Sequence, residues 1–173
     1  MRAVRLRTDG LRVERLTVPT PGAGEALVRV HAAAITRDEL TWPTDRLPAT
    51  PSYEVSGVVT EIGPDVSDLA AGDEVFALTP FDRDGVAAEY AAVPASVLAP
   101  RPRALTHVES AALPMPGLTA WQGLFDHGRL ADGERVRVLG PSGGVGHLAV
   151  QLAVASHAEL PRSAVGEERV GLG

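Results

Sequence analysis

A chain of 173 residues with 45% hydrophobic and 22% charged residues has the composition of a folded body, not of a disordered segment. Its net charge of −6 gives no general attraction to nucleic acid or to an anionic membrane surface, and no uninterrupted run of about 18 apolar residues offers a membrane span. With no cysteine and with arginine as its only basic side chain, the sequence excludes disulfides, thiolate catalysis, cysteine-ligated zinc, a Schiff-base lysine and a Walker-type phosphate lysine.

The first hundred residues read as short strands punctuated by turns. "RAVRLR" alternates with period two until Asp9-Gly10, "LRVERLTV" resumes until "PTPGAGE", and "ALVRVHAAAI" follows. Thr36 and Glu39 have capping-box spacing, which predicts a short helical turn before the proline-rich loop "WPTDRLPATP". Strand signals return in "YEVSGVVTEIG", in "DEVFALTPF" and in "GVAAEYAAV", a spacing that suits a small barrel or sandwich better than a parallel sheet.

From "RPRALTHVES" the period lengthens. Thr106 and Glu109 form a second capping box, and "ESAALPMPGLTAWQGLFDHGRL" predicts two helices joined at Pro114 and Pro116. "ADGE" then turns the chain into a predicted apolar strand, "RVRVLG", and "PSGGVG" turns it into the helix "HLAVQLAVA". This change of pattern places a domain boundary near residue 100.

The turn after "RVRVLG" carries the most specific chemistry. Gly143, Gly144 and Gly146 stand where a strand gives way to a helix, so the backbone can approach a pyrophosphate held by helix N-terminal amides. A loop that merely needs positive φ angles offers the alternative reading. The first glycine position of G-x-G-x-x-G is occupied by Pro141, which has no amide to donate. Among His31, His107, His127, His147 and His157 no spacing suits a metal, Asp38, Glu54 and Glu61 have no evident partner, and Ser142 lacks the G-x-S-x-G context of a hydrolase nucleophile.

Four stretches in order, "VRVHAAAITRDEL", "PSYEVSGVVTEIGPDVSDLAAGDEVFAL", "AALPMPGLTAWQGL" and "GPSGGVGHLAVQLA", resemble the zinc-independent medium-chain dehydrogenase/reductase family, in its NADPH-dependent, quinone oxidoreductase-like branch. The resemblance implies an α/β plus β fold: a GroES-like β-barrel over 1–100, the incomplete beginning of a Rossmann domain over 101–155, and an atypical tail over 156–173 expected to be disordered. It implies hydride transfer from NADPH, with NADH as the alternative, to quinones or α,β-unsaturated carbonyls, without a metal. The expected location is the cytoplasm, since the charged start "MRAVRLRTDG" has no apolar h-region behind it. Where zinc-dependent relatives carry a histidine before the glutamate matched by Glu54, this chain has Tyr53.

No catalytic residue is assigned. By the same resemblance, Thr36 and Thr119 contact the nicotinamide end; Thr36, Trp42 and Tyr53 are the substrate-site candidates, with plain packing over a barrel end as the alternative for Trp42 and Tyr53, while Thr119, Ser142, Gly143, Gly144, Val145 and Gly146 are the cofactor contacts. Partners are expected to be a small quinone or enone, no nucleic acid and no membrane, with self-association through exposed strand edges. After Ala155 the resemblance fades: Glu167 and Glu168 stand at the distance of a ribose selector, but Pro161 breaks the run, so the tail reads as the product of a truncated or frame-shifted gene. The alternative function is an inactive GroES-like module that serves only in binding or assembly, or has no function.

Overall fold

The structure, a computed structural model, describes residues 1–36, 39–41 and 47–160. It divides into two compact units at Met115/Pro116.

In the first unit, β1 (Arg2–Arg7) and β2 (Gly10–Arg15) form an antiparallel hairpin whose turn is closed by Gly10 at φ +117, a value that side chains disfavour. The alternating segments that follow become β3 (Glu25–Ala34), β4 (Glu54–Ile62), β5 (Glu74–Leu78) and β6 (Tyr90–Pro94), joined by the two-residue β7 (Ala99–Pro100). They lie in the order β6-β3-β4-β5-β7, and every pairing is antiparallel. The period-two pattern works as it should: Val28, Val55, Val59, Val75 and Val93 face inward and are at most 1% exposed. Gly57 is a packing requirement, since a Cβ there would stand 2.2 Å from the Arg29 carbonyl oxygen.

Helix α1 (His107–Ala111) packs on β3, β4 and β5. Its capping box is complete: the Thr106 hydroxyl accepts from the Glu109 amide, and the Glu109 carboxylate accepts from the Thr106 amide at 2.8 Å. Because α1 docks on the barrel, the division between units lies beyond the change of periodicity near residue 100.

The second unit begins within α2 (Pro114–Trp121), which starts on a proline, where the missing amide costs nothing, and runs into a π-helical turn over Gln122–His127. Together with α3 (Gly144–Ala155), these segments bury Ala120, Leu124, Ala149 and Ala153. The predicted strand "RVRVLG" is not formed as a strand. Among the described residues its only pairing is one parallel bridge, Arg135 to Glu159, with the Val136 amide donating to the Glu159 carbonyl at 3.1 Å. A buried parallel strand needs neighbours on both sides, and one isolated bridge makes no ladder; Leu139 is 75% exposed. The residues just after α3, expected to belong to a disordered tail, take part in the fold: Glu159 pairs as described, and Leu160 packs against the α3 cluster. Glu167 and Glu168 lie outside the described residues.

Candidate functional site

The end of the barrel where β3 gives way to the 36–53 connection gathers several polar side chains. Glu39 opens a single 3-10 turn, Glu39–Thr41, and is 4% exposed. Its carboxylate accepts from the Thr36 amide at 3.2 Å and from the Ser52 amide. Only half of the predicted capping box is therefore present, because the Glu39 amide donates to the Thr36 carbonyl at 3.0 Å instead of to its hydroxyl, which itself donates to the Met115 sulfur at 3.4 Å. Ser52 takes φ +72 and donates from its hydroxyl to the Ala34 carbonyl at 2.7 Å, so three separate segments are tied at this one buried serine.

Glu54, also 4% exposed, begins β4, and its carboxylate accepts from the Met115 amide at 3.0 Å. Burial raises the Glu39 carboxyl above its usual range, against the pull of the Ser52 and Thr36 amides. Burial likewise raises Glu54, where the Met115 amide works against it and the nearby charge of Glu39 reinforces it. Glu54 and Thr36 thus converge on Met115.

Tyr53 directly precedes Glu54 and is half-buried. Its carbonyl accepts from the Thr79 amide at 2.7 Å and the Thr79 hydroxyl at 3.0 Å, and its ring meets Phe81 edge-on, with centroids 4.9 Å apart. An aromatic pair with Phe81 47% exposed provides a flat, partly wet wall. The structure brings Thr36 and Tyr53 to the same end of the barrel, whereas Trp42 lies outside the described residues. Glu39 was legible only as a helix cap. Its reach to Ser52, a long-range contact, leaves no mark in local spacing.

The glycine turn belongs to the second unit. Gly140, at φ +69, makes the sharp bend, and Gly143 is extended and caps α3 without a side chain. The tight-turn role therefore falls one residue before Pro141, on a glycine that the G-x-G-x-x-G register passes over. Gly146 serves close packing, since a Cβ there would lie 2.0 Å from the Gly140 carbonyl oxygen. Gly144 has no atom within 4 Å of where its Cβ would be, which leaves room for an approaching group. The first bond of the helix start runs from the His147 amide to the Gly143 carbonyl at 3.1 Å, so the amides of Gly144, Val145 and Gly146 have no acceptor in α3. Ser142, Gly143, Gly144 and Val145 are all exposed, and Thr119 is exposed on α2. An uncovered row of amides at a helix N-terminus suits a phosphate in both charge and geometry.

Residues 22–103 match the alcohol dehydrogenase GroES-like domain. In Mus musculus, the protein named "NAD(P)H oxidoreductase RTN4IP1, mitochondrial" is 36% identical over 152 residues, covering 74% of this chain and 38% of its own length. "Quinone-oxidoreductase homolog, chloroplastic" of Spinacia oleracea is 34% identical over 161 residues, covering 84% of this chain and 48% of its own. A solved structure described as an alcohol dehydrogenase superfamily protein from Novosphingobium aromaticivorans superposes with a TM-score of 0.88 at 34% identity, over 92% of this chain and 52% of that one.

The chain belongs to the medium-chain dehydrogenase/reductase family. Within that family it falls in the quinone oxidoreductase-like branch, and it spans about half the length, or less, of the relatives it matches. As a medium-chain dehydrogenase/reductase it has a GroES-like barrel followed by the opening turn and helix of a Rossmann domain.

Proposed function

We propose that this chain carries the substrate barrel and the pyrophosphate turn of an NAD(P)H-dependent reductase of quinones or α,β-unsaturated carbonyls. The observation that carries the reading is the start of α3: three adjacent amides without an acceptor in the helix, open space at Gly144, and Gly146 clasped against Gly140. The bound nicotinamide would supply the hydride. The chain's own residues hold and orient. Gly144, Val145 and Gly146 bind phosphate oxygens through their amides, with Gly143 and Ser142 framing the approach.

At the barrel, the ring of Tyr53 flanks a flat conjugated substrate. The Thr36 hydroxyl, whose present acceptor is a weak one, the Met115 sulfur, can turn to donate to a carbonyl oxygen that gains negative charge. The proton that completes reduction then comes from that hydroxyl or from solvent. Metal-free chemistry is supported by the absence of cysteine and by Tyr53 standing where zinc-dependent relatives have histidine.

A titration of the chain with NADPH, read at assigned backbone amides, tests the reading. Saturable shifts centred on Gly144, Val145 and Gly146 are expected, and they should vanish in Gly146→Ala. Shifts absent from these amides, or centred on the barrel alone, would reject the turn as the cofactor's anchor and favour a module that only binds or assembles.

A further inference from the structure

The N-terminal hairpin has one strand with an unused edge. β2 pairs with β1 only, as the outer strand of a two-stranded sheet. On the other side of the hairpin, the Val4 amide donates to the Ala87 carbonyl at 2.8 Å, the Leu6 amide to the Ala49 carbonyl at 2.7 Å, and the Glu89 amide to the Arg2 carbonyl at 3.0 Å. Arg2, Val4 and Leu6 therefore turn their backbone groups away from β2. In antiparallel pairing, residues opposite one another bond to each other or both turn away, so Arg15, Val13 and Leu11, their register partners, also point outward. The mutual bonds between Met1 and Leu16, at 2.8 and 2.9 Å, fix the same alternation. Among the described residues nothing pairs with the outward amides and carbonyls of Leu11, Val13 and Arg15.

Such an edge is a template for another strand, and Val13 at 70% and Leu11 at 45% exposure add apolar surface to it. Charge settles which strand fits. An added strand must set outward residues opposite outward residues, which for a second copy of β2 leaves only a few registers. A two-fold axis at Arg12 would place Arg12 against Arg12, and one at Glu14 would place Glu14 against Glu14. With the axis at Val13, Val13 faces its own copy, Leu11 faces Arg15, and each Arg12 stands directly opposite a Glu14.

In that register the outward groups of Leu11, Val13 and Arg15 all find partners. The Arg12 and Glu14 side chains meet on one face at cross-strand distance, about 5 Å between Cβ atoms. Within one chain, Glu14 already accepts from Arg7 at 2.9 Å, and Arg12 donates to Asp9. The joined hairpins would then line up Arg7, Glu14, the partner's Arg12 and the partner's Asp9, alternating in sign. On the other face, Val4 and Val13 of both copies would form one continuous apolar stripe, since Val4 is already the register partner of Val13.

We infer that β2 is a self-recognition edge, through which two copies of this chain join their N-terminal hairpins antiparallel about Val13 into a four-stranded sheet.

Sedimentation equilibrium of the full chain tests this, with far-UV circular dichroism confirming that each variant is folded. The wild type should show a concentration-dependent monomer–dimer equilibrium. Val13→Pro removes an outward amide that bonds nothing within the hairpin, and it should raise the dimer Kd at least about tenfold. Arg12→Glu alone and Glu14→Arg alone should each raise it, because like charges then face one another. An equimolar mixture of these two variants should dimerise again, since both glutamates of one variant then stand opposite both arginines of the other. A wild type that sediments as a monomer at every concentration overturns the inference. So does a dimer indifferent to all three variants, which would join through another surface, or a mixture that fails to recover. If Val13→Pro does not fold, the charge mixture alone decides.

Discussion

Gly146→Ala should loosen the second unit although alanine is the better helix former. The new Cβ would sit 2.0 Å from the Gly140 carbonyl oxygen and 2.9 Å from the Pro141 Cα, both backbone atoms that cannot rotate aside. Cβ contacts essentially never fall below 3.0 Å, so α3 and the bend at Gly140 must separate by a good part of an ångström. Overpacking costs about 1–3 kcal/mol, and a clash this deep against fixed backbone belongs to the upper part of that range, about 2–3 kcal/mol; set against a gain of about 1 kcal/mol from replacing glycine in a helix, it leaves a net loss of about 1–2 kcal/mol. Gly144→Ala is the control, with nothing within 4 Å of its new methyl, and it should stabilise by a few tenths up to about 1 kcal/mol. Because the chain has two compact units, a single unfolding midpoint would blur the effect, so amide hydrogen exchange within α3 is the assay. Protection at Ala149 and Ala153 should fall by a factor of about 5–30 in Gly146→Ala and hold or rise in Gly144→Ala. Equal protection in the wild type and Gly146→Ala, or equal loss in both variants, would refute the clasp between Gly146 and Gly140.

Glu54→Gln keeps an acceptor for the Met115 amide while removing a buried charge beside Glu39. The folded pKa of Glu54 lies above its ordinary 4.5, so its contribution to stability is fully present below that value and is lost as pH rises through the folded pKa. Urea unfolding across the acid range should therefore show the wild type gaining on Glu54→Gln as pH falls, and a gap that does not vary with pH would contradict this. His107 behaves in the opposite sense. Burial, reinforced by His31 and Arg101 and opposed by Glu74, lowers its pKa from 6.5, so its contribution is present above that value and is lost as pH falls from there through the folded pKa. Its ring resonances should titrate with a midpoint below 6.5, and a midpoint at or above it would contradict the packing of His107 against Ser56 at 2.8 Å. Val55→Ala, at a fully buried barrel position, should cost about 2 kcal/mol by chemical denaturation, and Val108→Ala, 71% exposed, should cost under about 0.5.

The barrel was legible because its strands alternate: the period-two runs around Val28, Val55 and Val93 put the valines on one face, and turn residues separate them. The second capping box was legible for a similar reason, since Thr106 and Glu109 act within a single helical turn. What escaped was set by contacts across the fold. Glu39 has the spacing of a cap, yet its carboxylate spends one oxygen on Ser52. "RVRVLG" has the composition of a parallel strand, but a strand is a property of its neighbours, and a single bridge to Glu159 does not make one. The glycine turn was found by motif, with its bend placed among the later glycines; the positive φ belongs to Gly140, where the chain must reverse ahead of Pro141.

Dinucleotide binding divides into a phosphate anchor, which Gly144, Val145 and Gly146 provide, and nucleoside contacts, which such sites draw from several parallel strands. Among the described residues there is one parallel bridge. The most direct measurement is a titration of the 173-residue chain with NADPH, followed by nicotinamide fluorescence, with benzoquinone then added to follow oxidation. Weak binding, abolished by Gly146→Ala and without sustained turnover, is the predicted result. Micromolar binding with sustained oxidation of NADPH would contradict it, because these residues would then be assembling a complete site.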